Sequence, residues 1–469
     1  MGMSKSLLKD SYVKSELNLK EFLDNQAAKN YAYYKRDHSD ILMFLEKHLR
    51  SIISDERVLQ LMPKVYVNDV HRVVKRLSLI YNNEPKRTFS KDKIDEKVLD
   101  VLNDAFTQYK EFHRLAKLLN TILVRPIWSE KKQKFVFLTL GRHYATAITS
   151  EEHKHDLEEI WYLKEVEIKG KKEFVRVHWT DTDYWITDQN DNKIQIEGLS
   201  AEGDIDPYGR IPVVELRLED STDYWGDGMS DFVNLIEANN AKLCDALYKQ
   251  WLSFGYPIGT NLSVTAEEFQ IAPYKPMMVD NARNDMISPS LAFVSPDHQI
   301  EQDKELIDYM RRAGGTSQGL SASNFSNEIL QQSGYAKTID NQELLDQNKE
   351  DRPILRKFEF ELFDMMKLEL EKRSNKIQFN FDLLGIEFEE YKFPLTQQEE
   401  QAKREFEYKY NMSSPIDWIM QDTGIDQEEA IKKIEDNLTE NKKIKDLERK
   451  NTLLDRILGA NNANSQNQN

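Results

Sequence analysis

The sequence predicts an α+β fold that is mainly helical, and three observations carry that reading. Apolar residues recur at three- and four-residue spacing over much of residues 1–125 and again from Met229 onward. Between about Lys134 and Leu218 the texture changes to short β-branched and aromatic runs separated by turn signals. The 469-residue chain is 39% hydrophobic and 31% charged, a balance that suits an elongated or helix-rich protein, or one that buries surface against other subunits.

The elements follow in order. Asp40–Leu45 and Val70–Leu77 carry helical stripes, the second ended by Asn82-Asn83-Glu84-Pro85. One helix is expected from about Lys93 to Leu119, then an extended Val124–Trp128. Phe135–Leu138 is a strand. Ile160–Ile168 and Phe174–Trp179 flank Lys169-Gly170-Lys171 as a hairpin, and Tyr184–Thr187 with Lys193–Ile196 reads as a second one. Ile211–Leu216 is a strand with Pro212 at its start, where proline is tolerated. Trp161, Phe174, Trp179 and Trp185 alternate with polar neighbours, the mark of a core face.

Met229–Phe254 is an amphipathic helix, roughly 35–40 Å long. A proline-rich stretch to about Pro296 looks like a small α+β insert, followed by a short helix from Asp297 to Ala313. Gly314, Gly315 and Gly319 then open a polar, nearly neutral loop. A long helix, Ser333 to about Arg373, is expected to kink or break at Pro353, because proline removes a donor and clashes with the preceding turn. Ile377–Phe381 alternates like a strand. Pro394 to about Leu458 is helical, with breaks near Ser413-Ser414-Pro415 and Thr423-Gly424, and the Asn/Gln/Ser/Ala tail 461–469 is expected to be disordered.

Composition narrows the function classes. A net charge of −17 makes the chain as a whole a poor adhesive for DNA, so any contact would use a few local basic positions. The Arg72-Lys75-Arg76 and Arg311-Arg312 clusters are too small for a DNA patch by themselves and suit a surface or subunit contact. The lone Cys244 excludes an intrachain disulfide or a cysteine-based zinc site, and no run of 18 apolar residues predicts a membrane span. Met1–Ser6 fits the bare myristoylation pattern, but a helical leader without a signal-peptide core is the expectation.

No catalytic motif emerges. There is no Walker phosphate cradle, nucleophile elbow or zincin helix. Gly226-Asp227-Gly228 reads as a turn and helix start, and His153 and His155 sit in an acidic, solvated turn rather than a metal site. Asp181, Asp183, Asp188 and Asp191 lack calcium-loop spacing. No cofactor, metal or catalysis is expected.

The order of elements is the strongest signal. Gly209-Arg210-Ile211-Pro212-Val213-Val214-Glu215 ends the β region; Gly228 to Asn239 opens a helix; Ser333-Gly334-Tyr335-Ala336-Lys337 opens the long one. Over roughly residues 60–440 this order and spacing resembles the portal proteins of tailed double-stranded DNA bacteriophages. The 82–85 region matches only loosely, and the insert has no recognisable signature.

The resemblance implies a wing, stem, clip and crown architecture in a dodecameric ring at one capsid vertex. Residues 1–228 would form the wing, 229–254 and 297–313 the stem helices, and 255–296 the clip. Residues 314–332 would be the tunnel loop, 333–393 the long kinked helix and return to the wing, and 394–460 the crown. Implied partners are further copies of the chain, double-stranded DNA in transit, the large terminase, major capsid and scaffolding proteins, and head–tail adaptors, with no membrane. The implied place is the virion, assembled in the host cytoplasm.

The tunnel loop reads as a mobile collar. Gly314, Gly315 and Gly334 would be hinges, and Ser317, Gln318, Ser321, Ser323, Asn324, Ser326 and Asn327 would touch DNA without gripping it. Lys304, Asp308 and Arg311 share one helix face; they form either a sparse channel-facing cationic ring or an intrahelical ion-pair face. Two other readings stay open: a different phage structural subunit (head–tail adaptor or scaffold), and a phosphate-binding enzyme using the 314–319 glycines.

Overall fold

The computed structural model describes residues 24–168, 171–196, 205–252, 256–260, 290–294, 300–325, 339–373, 377–389, 397–410, 412–443 and 445. The chain mixes helix and sheet in two units, one spanning 1–330 and 340–392, the other 331–339 and 393–469.

The first unit begins with helices α1 (24–35), α2 (His38–Ile52), α3 (Glu56–Leu61) and α4 (Val70–Leu77). Asp37 caps α2 by accepting from the Ser39 and Asp40 amides, and Ile41, Leu45 and Leu49 bury one face at four-residue steps. The expected single helix over 93–119 is instead two, α5 (Glu96–Phe106) and α6 (Tyr109–Leu119). Thr107 ends α5 by donating its hydroxyl to the Asp104 carbonyl at 2.6 Å, a local bond that competes with helix continuation. The bend sets Phe106 edge-on to Tyr109, with centroids 5.4 Å apart.

Strand β1 (Lys86–Phe89) lies between α4 and α5; β2 (Thr121–Ser129) and β3 (Lys134–Leu140) follow α6, and β8 (Val214–Arg217) completes a sheet of order β3-β2-β8. Pro126 is tolerated in the central strand because β8 pairs only with residues 121–124, short of the proline. A second sheet, β4-β5-β6-β7, contains β4 (Ala145–Thr149), unforeseen from sequence, with β5 (Leu157–Ile168), β6 (Lys171–Trp179) and β7 (Tyr184–Thr187). The expected second hairpin reduces to β7 and one bridge from Thr187 to Lys193, its turn held by the Asp188 carboxylate on the Asn190 and Asn192 amides.

Register corrects the aromatic reading. Trp161 and Trp185 both sit opposite His178, whereas Trp179 sits opposite Ile160 and Tyr184. Side chains alternate faces along a strand, so only Trp179 points into the core, at 2% exposure. Phe174 is half exposed, and Trp161 and Trp185 flank His178 on the outer face.

Helix α7 (Ser230–Leu252), strands β9 (Tyr256–Thr260) and β10 (Ser290–Val294), and helix α8 (Ile300–Ser317) come next. The long helix α9 (Gln342–Arg373) runs through Pro353 without the expected break. It leads to β11 (Leu383–Glu387), which pairs antiparallel with β1. The strand expected at 377–381 therefore starts at Leu383; Phe379 and Phe381 are instead buried against Phe363 of α9.

Three buried carboxylates fasten α9 to the first half of the chain. Asp351 meets His113 at 3.2 Å and Lys117 at 2.8 Å. Glu359 meets Arg87 at 2.8 Å and the Tyr81 hydroxyl at 2.8 Å. Glu369 accepts from the Trp128 amide at 3.0 Å and the Tyr208 hydroxyl at 2.5 Å.

Burial also holds the imidazoles of His71, His113 and His178 below their ordinary value, and that of His143 down to about 4. A depressed imidazole supports the fold fully above its unfolded value of about 6.5, and the support is lost as pH falls from there towards the folded value. Burial pushes the Asp351 carboxyl up, but the His113 hydrogen bond and Lys117 charge outweigh it and hold it below the usual range, which extends the loss at lower pH. Glu359, raised by burial, acts in the opposite sense, and only within the carboxylate range. Thermal melts should therefore hold steady just above neutrality and fall progressively below about pH 6.5. A melting temperature flat down to the carboxylate range would contradict this.

In the second unit, α10 (Gln397–Lys409), α11 (Pro415–Thr423) and α12 (427–443) keep the expected breaks. Ser414 and Asp417 form a reciprocal capping box at the start of α11, and Gly424 closes its end in the left-handed region at φ +67°.

Candidate functional site

Helices α7 and α8 pack antiparallel. Lys242 pairs with Asp303 at 3.0 Å, Asn239 reaches the Ile307 carbonyl at 3.4 Å, and Gly314 lies against Leu235 and Phe232, so the contacts run in opposite directions along the two helices. The β9–β10 ladder, Tyr256 opposite Val294 through Thr260 opposite Ser290, closes the far end of the pair.

At the near end the structure changes the reading of the glycine-rich stretch. Helix α8 continues through Gly314 and Gly315 to Ser317, so these are helical residues rather than loop hinges. Their value is space: a Cβ on Gly314 would lie 2.4 Å from Leu235 Cδ2, and one on Gly315 would lie 1.9 Å from Phe325 Cε2. The helix then stops in a Schellman turn. Leu320 donates to the Gly315 carbonyl at 3.1 Å, Gly319 to Thr316 at 3.0 Å, and Gly319 takes φ +73°.

The next residues are fastened, not loose. Ala322–Phe325 forms a 3-10 turn, with Leu320 and Phe325 buried in the main core. Arg72 of α4 donates to the Asn324 carbonyl and Arg76 to its side-chain oxygen, while Asn324 donates to Asn341 at 3.2 Å. The Arg72 guanidinium also lies over the Phe325 ring at 5.4 Å. Ser321 and Ser323 bond each other at 2.9 Å, so Ser321 to Phe325 is an ordered plug on α4 and not a free collar. Ser326, Asn327 and Gly334 lie outside the described residues, as does most of the insert between β9 and β10.

Lys304, Asp308 and Arg311 do not act as one face. Arg311 turns to Asp69, ahead of α4, at 2.7 Å, and is 3.9 Å from Asp308. Asp69 is 6% exposed, so Arg311 is an internal tie between α8 and α4 rather than a free cation. Lys304 is exposed and 4.0 Å from Glu301.

Ser317 and Gln318 help line a polar cleft of about 600 Å³ with Lys117, Lys154 and the Gly226-Asp227-Gly228 turn. The turn is a packing device: Gly226 and Gly228 have positive φ, and a Cβ on Gly228 would lie 2.3 Å from the Leu118 carbonyl oxygen. Both lysines already face carboxylates, Lys117 at Asp351 and Lys154 at Asp220, and Glu219 and Asp227 also line the cleft, so it offers no surplus positive charge and is poorly suited to hold a phosphate. His155 is likewise taken by Asp220 at 2.7 Å. Among the described residues no group of His, Cys, Asp and Glu could hold a metal, and no helix is long and apolar enough to cross a membrane.

No protein-family model and no curated protein sequence matches the chain. Among solved structures it is similar to a chain of "Virion of native gene transfer agent (GTA) particle", with TM-score 0.34 and 11% identity over 79% of this chain and 94% of that one. It is also similar to a chain of "Neck of empty GTA particle computed with C6 symmetry", with TM-score 0.39 and 11% identity over 78% of this chain and 93% of that one.

Proposed function

We propose that the chain is the subunit of a portal-type ring, a passive conduit through which double-stranded DNA enters, is retained in and leaves a phage-like capsid. The observation that carries this reading is the α7/α8 pair: two antiparallel helices closed at the far end by β9–β10 and returning to the body through the Leu320–Phe325 plug. That is the helix, insert, helix, loop, long-helix order the sequence resemblance implies. Helix α8 also leaves Leu306 44% and Tyr309 69% exposed, apolar surface suited to a neighbouring copy.

In this reading the chain performs no chemistry. It acts at the capsid vertex, with terminase, capsid, scaffolding and adaptor proteins as partners. Of the polar residues the sequence assigned to a collar, Ser317 and Gln318 at the end of α8 are left to offer DNA neutral groups, the 321–325 plug and Arg311 serving the fold. Negative-stain imaging and mass photometry of the purified protein test the reading. A ring with a central hole is expected. A monomer or small dimer at every concentration would overturn it in favour of an adaptor or scaffold.

A further inference from the structure

Cations too scattered in sequence to read as a patch come together on α4 and α6. His71 and Lys75 are one turn apart on α4, and Lys110 and Arg114 one turn apart on α6, each step a rise of about 6 Å. The helices pack against each other. Arg36, just ahead of the α2 cap, is brought alongside because the Tyr34 carbonyl meets His71 Nδ1 at 3.0 Å and the two rings stack at 5.1 Å. The groups feel one another: burial first, then Arg114 and Lys75, depresses the Lys110 ammonium, and Arg36, Lys75 and Arg114 add to the burial that depresses His71.

Little on the protein answers this charge. Glu111, the carboxylate beside Arg114 at 3.7 Å, is already held by Lys35 at 2.7 Å and Tyr34 at 2.8 Å. Among the described residues Arg36, Lys75 and Lys110 make no ion pair, and Arg114 Nε is buried without a hydrogen-bond partner. Such mutual repulsion in a chain of net charge −17 calls for an outside anion.

We propose that this face of α4 and α6 binds the sugar–phosphate backbone of duplex DNA. An acidic protein partner fits less well. Protein interfaces concentrate aromatic and apolar side chains at their centre, and neither α4 nor α6 exposes a large apolar side chain among the described residues. Interfaces with DNA are more polar and strongly positive, as this face is. The contact is independent of base sequence, because mobile lysines on a uniform charge array read no base edge. It deepens the conduit reading and rests on it for the choice of duplex DNA as the polyanion.

The test is fluorescence anisotropy of a labelled random-sequence duplex titrated with the full chain across a salt series. Lys75→Glu/Lys110→Glu should weaken binding at least tenfold at low salt and lower the log–log salt slope by about two. Lys75→Arg/Lys110→Arg should bind like the wild type, as should Lys357→Glu, an exposed position on α9. Unchanged affinity in the reversal variant, equal loss in Lys357→Glu, or competition by poly-glutamate as strong as by unlabelled duplex would each overturn the proposal. Mass photometry of the same samples reads ring assembly separately. Rings that form yet bind no duplex sink this inference and spare the ring; a monomer that binds duplex through Lys75 and Lys110 does the reverse.

Discussion

Replacing Glu359 by alanine is expected to destabilise the first unit by about 3–5 kcal/mol. The side chain is fully buried, with one carboxylate oxygen on Arg87 Nε at 2.8 Å and the other shared between Arg87 Nη2 at 3.1 Å and the Tyr81 hydroxyl at 2.8 Å. Arg87 is itself only 5% exposed and lies over the Phe106 ring at 3.7 Å, so it cannot turn out to water without breaking that packing. The variant leaves a buried guanidinium without a counter-charge and a buried hydroxyl without an acceptor. The pair as a whole need not be worth that much, because its attraction is set against the desolvation of both ions. Glu359→Met with Arg87→Met should therefore recover the share of the loss that comes from the unpaired guanidinium, while the Tyr81 hydroxyl still lacks its acceptor. Urea unfolding of the two single variants and the double one gives the coupling directly. A loss below about 1 kcal/mol for Glu359→Ala would mean that water reaches the site, as it does around surface ion pairs.

Gly315→Ala should reverse the usual sign of a helix substitution. Within a helix, alanine normally gains about 1 kcal/mol over glycine. Here the new methyl would sit 1.9 Å from the Phe325 ring, well inside contact distance. Either the ring leaves its core position or α8 shifts from α7, and overpacking of this kind costs about 1–3 kcal/mol. The expected result is a lower melting temperature and faster protease cleavage near Leu320–Phe325. Adding Phe325→Ala removes the clash, so the Gly315 substitution should then be neutral or stabilising. A stabilised single variant would show that the plug does not pack on α8 as described.

Local patterning made most elements legible. The stripe of α7, the β5–β6 hairpin and the Ser414 and Gly424 boundaries follow from spacing and capping chemistry that operate over a few residues. What could not be read depends on partners far along the chain. Lys86–Phe89 has a weak strand pattern and exists because β11 comes back to it. The faces of Trp161 and Trp185 turned on register, which adjacent residues do not determine. Gly314, Gly315 and Gly319 looked like freedom to move; two of them mark close approach to Leu235 and Phe325, and the third is a helix stop. Arg311 looked available to a channel until Asp69 took it. The basic face escaped notice for the same reason, its members being spread from Arg36 to Arg114.

The three acids of α9 also bear on how a cell makes this protein. A ribosome delivers Arg87, His113, Lys117 and Tyr208 long before the helix that answers them. The Tyr81–Glu359 bond spans 278 residues and the Trp128–Glu369 bond 241. Contacts so distant in sequence form slowly, and here they also form late. Until Arg373 has emerged the nascent first unit carries cations with no counter-charge, and until Glu387 has emerged its strand β1 has no partner. Such a chain needs shielding during synthesis, and a truncation before Gln342 would yield an aggregation-prone fragment rather than a smaller domain.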